Sequence, residues 1–270
     1  MDEVTWKKLT RRFPRTPARL KMEVCSERAN RGKPIQIADR PLIALAFSAD
    51  GRSLAVAGGG LIPGATAIRV IDVETRTVRR ICHGHVMGVF DLAFDPRTGL
   101  LASASHDYSV LLWEVDERND AIYLVGDEEA GVSRHRVAFI GTEVVVGDGM
   151  TFLGASAWLH AVDLETGTTS VILTVDEEGR LGVDEMTVLP GGETIVVALD
   201  DMRDSSGVQQ ICAIREHGLR RTRWDPGGRL HAMRALAPDR FVAAVESASE
   251  ADDDEPVPEL VVFEAVTGTK

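Results

Sequence analysis

Between Pro41 and Thr267 the chain is a succession of Val-, Ile-, Leu- and Ala-rich runs separated by clusters of Gly, Asp, Pro and Ser. Branched aliphatic side chains pack well on a pleated surface and the separators supply turns, so each run predicts a β-strand. No stretch sustains the apolar period of a long amphipathic helix. The runs also recur in phase. An apolar strand, a turn and a more hydrophobic second strand appear as LIALAFSADGRSLAVAG (42–58), VFDLAFDPRTGLLASAS (89–105), HRVAFIGTEVVVGDG (135–149), DEMTVLPGGETIVVALD (184–200) and MRALAPDRFVAAVES (233–247). Aligned on Phe47, Phe94, Phe139, Leu189 and Leu236, the copies are 47, 45, 50 and 47 residues apart. A third strand follows each pair, with Ile71, Trp113, Val162, Ile214 and Phe263 at equivalent positions. A fourth strand follows the first four copies, at 77–81, 121–125, 169–174 and 218–224.

Four strands per repeat of this length is the arithmetic of a β-propeller blade. The second copy adds a specific signature. It reads GHVMGVFDLAFDPRTGLLASASHDYSVLLWEV, with Gly84-His85 opening the repeat, Phe94-Asp95-Pro96 at the first corner, and Asp107 six residues before Trp113. This segment resembles the WD40 repeat. The resemblance implies a structural tetrad of His85, Ser103, Asp107 and Trp113, whose hydrogen bonds tie the strands of one blade together. It covers residues 84–115 as motif and 42–267 as architecture. The first copy lacks the Gly-His pair and has Ile71 instead of tryptophan; the last three keep only the hydrophobic frame.

The expected fold is therefore all-β, a propeller of four-stranded blades. Five blades are expected, with KPIQIA (33–38) supplying the outer strand that completes the last one, since the fifth copy lacks a fourth strand. A six-bladed ring, or a fragment of a larger one, is the alternative. Residues 1–32 are read as a basic arm and 33–270 as the propeller.

Composition narrows the class. The chain has 270 residues, 44% of them hydrophobic, and its apolar runs are too short to cross a membrane. Cys25, Cys82 and Cys212 are odd in number and widely spaced, which argues against both a disulfide framework and a zinc module. No secretory signal opens the chain, so a reducing cytoplasm is the expected compartment. The net charge of −12 is uneven: residues 1–40 carry eleven Lys/Arg against five Asp/Glu, and residues 241–270 one Lys against eight acids. An acidic body repels phosphates, which argues against nucleic acid as the partner.

Candidate chemistry is sparse. Walker, zincin, nucleophile-elbow and dinucleotide motifs are all missing, and no cofactor or metal is expected. Cys82-His83-Gly84-His85 lacks a second ligand group at zinc-like spacing, and Asp200, Asp201 and Asp204 lack the alternation and terminal Glu of a calcium loop. What varies is the connection between the second and third strands. It is tight in the second copy but long at 59–66, 148–156, 200–207 and 247–259, all on the end that also carries the blade-to-blade connections. Insertions gathered on one face mark a binding surface. Leu61, Ile62, Phe152, Met202 and Arg203 are its candidate contacts, with Asp252, Asp253 and Asp254 suited to a basic partner. The expected function is a noncatalytic protein–protein interaction scaffold. The alternative is a small-ligand or carbohydrate-binding or hydrolysing propeller that uses its central channel.

Overall fold

The computed structural model describes residues 41–58, 66–116, 121–126, 132–151, 158–174, 181–192, 194–201, 210–215, 218–224, 228–247 and 258–265. The basic arm, the strand expected at 33–38, and Leu61, Ile62, Phe152, Met202, Arg203, Asp252, Asp253 and Asp254 lie outside them.

All nineteen elements among the described residues are β-strands. Sheet 1 contains β1 (Leu42–Phe47), β2 (Ser53–Gly58), β3 (Ile68–Asp72) and β4 (Thr77–Cys82). Sheet 2 contains β5 (Val89–Phe94), β6 (Leu101–Ser105), β7 (Ser109–Trp113) and β8 (Ile122–Gly126), and sheet 3 β9 (Val132–Ile140), β10 (Glu143–Thr151), β11 (Trp158–Asp163) and β12 (Thr169–Thr174). Sheet 4 contains β13 (Leu181–Val188), β14 (Thr194–Asp201), β15 (Gln210–Arg215) and β16 (Gly218–Trp224). Sheet 5 has three strands, β17 (Gly228–Ala237), β18 (Arg240–Ser247) and β19 (Pro258–Glu264). Strand order in every sheet follows chain order, so each strand pairs with its sequence neighbour. The chain divides into two compact units, residues 1–146 with 161–170, and residues 147–160 with 171–270.

In unit 1, sheets stack through apolar faces. Ala44, Ala55, Ala57, Ile68 and Val70 of sheet 1 bury against Leu92, Leu101, Leu111 and Trp113 of sheet 2. The opposite side of sheet 2, with Ala102, Ala104, Val110 and Leu112, buries against Val137, Phe139, Val144, Val146 and Val162 of sheet 3. Small residues on one sheet thus receive large ones from the next, which is how facing layers reach close packing. Polar bonds cross the same boundaries: Thr66 Oγ1 donates to the His85 carbonyl at 2.6 Å, and the Val137 amide donates to Asp91 Oδ2 at 3.0 Å. In unit 2, Val196, Ala198, Ile211 and Ala213 of sheet 4 pack on Met233, Phe241, Ala243 and Val245 of sheet 5.

The repeat extends to hydrogen bonds in the turns. After β3 and after β11 the sequences Asp72-Val73-Glu74-Thr75 and Asp163-Leu164-Glu165-Thr166 place a carboxylate over the turn. Asp72 Oδ1 accepts from the Thr75 amide at 2.7 Å and its hydroxyl at 2.8 Å, and Asp163 Oδ1 accepts from the same two groups of Thr166. Short side chains of this type mimic a backbone turn, so the same residues recur where the same turn is needed.

Register corrects the alignment in the last two copies. In sheet 2, Phe94 pairs with Leu101, which pairs with Trp113. In sheet 4 the matching row is Val188, Ile195 and Ile214, and in sheet 5 it is Ala235, Phe241 and Phe263. Val188 and Ala235 therefore occupy the Phe94 position, one residue before Leu189 and Leu236. A ladder irregularity between Ala235 and Ala237 displaces Leu236 from the row, and Leu236 is exposed.

Candidate functional site

Sheet 2 carries the most developed side-chain chemistry. His85 is in the connection from β4 to β5, Ser103 on β6, Asp107 in the turn between β6 and β7, and Trp113 at the end of β7. The fold brings all four together. Trp113 Nε1 donates to Ser103 Oγ at 2.8 Å, Ser103 Oγ lies 2.7 Å from His85 Nε2, and His85 Nδ1 lies 2.9 Å from Asp107 Oδ2. A carboxylate only accepts, which assigns the imidazole proton to Nδ1 and leaves Nε2 to accept from the serine hydroxyl. Donors then run in one sense, from indole to serine to imidazole to carboxylate.

Asp107 has further partners that the motif did not announce. Its Oδ2 accepts from the Val86 amide at 2.9 Å, and its Oδ1 from the Ser109 amide at 3.1 Å and from the Ser109 hydroxyl. Burial alone would raise the Asp107 pKa, but the bonds from His85, Ser109 and Val86 outweigh it and bring the carboxyl down to about 2. Ser105 supports the turn from behind: its hydroxyl donates to the Gly88 carbonyl at 2.9 Å and accepts from the Asp107 amide at 3.1 Å. Serines flanking a His-Asp turn are the sequence signal that could have revealed both.

The glycine of the Gly84-His85 pair has a steric reason. A Cβ there would lie 2.8 Å from a ring carbon of Trp113 and 3.0 Å from a methyl of Leu111, so the indole needs a bare backbone to lie against.

The same end of sheet 2 presents an aromatic group that sequence inspection passed over. The Phe90 and His106 rings meet edge-on with centroids 5.7 Å apart, and Tyr108 lies 6.1 Å from His106. Burial lowers the His106 pKa, opposed by the nearby Asp107 carboxylate, and its Nδ1 is buried without a hydrogen-bond partner. Val86 beside them is 63% exposed. Tyr108 has φ of 69°, in the left-handed region that side chains rarely adopt. The turn therefore holds a bulky aromatic in a conformation suited to glycine or asparagine.

Groups capable of covalent or metal chemistry do not converge. Burial pushes the Cys82 thiol up to about 11, which keeps it protonated and unreactive, and Cys212 is also buried. Among the described residues no group of three or more His, Cys, Asp or Glu could hold a metal ion. Nor is any described helix long and apolar enough to cross a membrane.

Comparison with known proteins agrees with this geometry. The WD40 family (WD domain, G-beta repeat) matches residues 76–114, which span β4 to β7 and hold the whole hydrogen-bonded group. The WD repeat and HMG-box DNA-binding protein 1 of Xenopus laevis is 33% identical over 72 residues, 27% of this chain and 6% of that protein. Hydrazine synthase of Kuenenia stuttgartiensis superposes with a TM-score of 0.65 at 14% identity, covering 88% of this chain and 67% of that one. The Cps50 (Swd1) β-propeller domain of Myceliophteria thermophila gives a TM-score of 0.57 at 14% identity, covering 84% and 74%. Residues 76–114 form a WD40 repeat, and the fold is that of a β-propeller.

Proposed function

We propose that this chain is a noncatalytic protein-interaction module that binds a partner protein on the end of its sheets bearing the β2–β3 type and sheet-to-sheet connections. The observation that carries the reading is the composition of that end where it is described. Around the rigid His-Asp turn stand Val86, Met87, Phe90, His106 and Tyr108, an apolar and aromatic group on a surface whose underlying strands are fixed by buried hydrogen bonds. Aromatic side chains with one polar edge dominate protein interfaces because they bury large area with little loss of rotamer freedom. WD40 propellers typically bind proteins, which supports the same reading. The tetrad itself is assigned a structural role, since its side chains are committed to one another. Leu61, Ile62, Phe152, Met202, Arg203 and Asp252 to Asp254, the contacts expected from the sequence, lie outside the described residues, and their part in binding is a separate arm of the test.

The test is affinity capture with the full chain, a Phe90→Ala/Tyr108→Ala variant and a variant with 59–66 and 247–259 shortened. The expected result is that partners recovered by the unaltered chain are lost from at least the aromatic variant. If all three recover the same partners, this end is not the binding surface.

A further inference from the structure

Two backbone irregularities of sheet 2 converge on one imidazole. The β5–β6 ladder passes from Val89 with Ser105 to Asp91 with Ala104, which leaves Phe90 in a bulge, and a bulge re-aims the side chain it carries. Here the Phe90 ring is aimed edge-on at His106, with centroids 5.7 Å apart. Tyr108, held at a φ of 69°, brings its own ring to 6.1 Å from the same imidazole. Sheets 1, 4 and 5 have a ladder irregularity at the matching place in their first strands, around Ile43, Asp184 and His231. The bulge is therefore shared, and its occupant is not.

The seat that these rings make suits an uncharged imidazole. His106 Nδ1 is closed to solvent and, among the described residues, is the one buried side-chain nitrogen or oxygen with no hydrogen bond. An orphaned lone pair is better tolerated than an orphaned N–H, which assigns the proton of the neutral ring to Nε2 and leaves Nδ1 bare. Protonation reverses the balance, because an imidazolium is a donor at both nitrogens. The described acceptors around the turn are already taken. Asp107 Oδ2 receives His85 Nδ1 and the Val86 amide, and Oδ1 receives the amide and the hydroxyl of Ser109, which fills a carboxylate. The Gly88 carbonyl receives the His106 amide and the Ser105 hydroxyl. On β5, Asp91 Oδ2 receives the Val137 amide and Oδ1 the Leu92 amide. A charged His106 has no partner in this seat and reaches one only by turning out into water.

We infer that the aromatic surface of sheet 2 is under proton control: neutral His106 gathers the Phe90 and Tyr108 rings into one group, and protonation expels the imidazole and opens that group. Burial holds the His106 pKa below the ordinary histidine range, and the one charge acting on it, the Asp107 carboxylate, opposes that effect without outweighing it. His85, the other titratable group of this turn, is turned to Asp107 and Ser103. Asp107 stays ionised down to a pKa of about 2, so its charge is constant while His106 titrates. As a control on binding, the device rests on the reading of this group as the partner surface. As a property of the chain, it does not.

The test follows the histidine and aromatic ring resonances of the full chain by NMR from about pH 8 to about pH 4, the interval in which an imidazole changes charge. The Phe90 and Tyr108 signals are expected to shift together with the His106 imidazole, at one midpoint below the ordinary histidine range. In Phe90→Ala the midpoint is expected to rise toward the ordinary value, because linkage is reciprocal and the seat that disfavours the charged ring is gone. In His106→Phe, which keeps a ring but no proton, the Phe90 and Tyr108 signals are expected to stay fixed. The Trp113 indole N–H resonance reports that sheet 2 is intact in each variant, and Phe90→Leu replaces Phe90→Ala if that signal is lost. Rings that ignore the titration of His106 overturn the inference. So does a midpoint that the Phe90 variant leaves in place, or a shift that persists in His106→Phe. Affinity capture at about pH 7.5 and about pH 5 separates this inference from the reading it rests on. If the rings titrate as expected and capture is unchanged, the switch stands and the aromatic group is not the partner surface. If Phe90→Ala/Tyr108→Ala loses capture and the rings ignore pH, the surface stands and the switch falls.

Discussion

Sheets 2 and 4 build equivalent positions from opposite chemistry. At the centre of sheet 2, Ser103 is joined to His85 and Trp113 by hydrogen bonds, and the imidazole continues to Asp107. In sheet 4 the row that contains Ser103 in sheet 2 contains Val197, and Ile214 replaces Trp113; both are buried. One sheet is held by a directional network and the other by shape. A buried network is stable only when every member is satisfied, whereas aliphatic packing loses stability in proportion to the volume removed. The two sheets should consequently fail differently when altered.

The largest effect is expected from Trp113→Ala. Removing a fully buried indole opens a cavity and withdraws the donor to Ser103, a loss of about 4 kcal/mol. More informative is its coupling to His85. The two rings are 6.2 Å apart and meet through Ser103, so a cycle of His85→Leu and Trp113→Ala should deviate from additivity by about 1 kcal/mol or more. Urea unfolding followed by circular dichroism measures both. Additivity within about 0.5 kcal/mol would mean that the four side chains do not act as a unit, and the contrast between the sheets would collapse.

A second effect is the acid response of sheet 2. The folded-state pKa of Asp107 is depressed to about 2, below the unfolded carboxyl value. Its contribution is therefore complete above about pH 4 and is lost as pH falls toward 2, amounting to about 2 kcal/mol. Stability measured across that interval should fall, and Asp107→Ala should flatten this component of the fall. In sheet 4 the Ser103 position is taken by Val197, which has no hydroxyl to receive or pass on such a bond. An unchanged acid profile in the variant would assign the response to other carboxylates.

Why sheet 2 was legible as a motif and the others only as a frame follows from the same contrast. Hydrogen bonding demands particular atoms at particular places, so His85, Ser103, Asp107 and Trp113 leave a recognisable spacing. Aliphatic packing demands only volume, so Val56, Val197 and Ala243 can stand at one structural position and leave no signature. Among the described residues strand existence and order were readable, because the turn residues between runs are chemically distinctive. Register was not: Leu189 and Leu236 fit the hydrophobic pattern as well as Val188 and Ala235 do, and ladder irregularities such as the one beside Leu236 shift a row by one residue without marking the sequence. The aromatic group of Phe90, His106 and Tyr108 went unnoticed for another reason. Its members belong to different strands and turns, and only the fold assembles them.

The smallest expected effect isolates what the His-Asp turn contributes beyond the network. Tyr108 has φ of 69°, and the cost of the left-handed region to a residue with a Cβ is about 1–2 kcal/mol. Glycine removes that cost but increases the freedom of the unfolded chain, which offsets part of the gain. Tyr108→Gly should therefore stabilise sheet 2 by about 0.5–1 kcal/mol, read from the urea midpoint. It also deletes the ring beside His106. A variant that is more stable yet captures less partner would separate the two roles of this turn, and would show that a bulky residue is kept in a strained position for the contact it presents. Stabilisation with unchanged capture would make the strain an accident of sequence, and would confine the distinction between sheets 2 and 4 to their interiors.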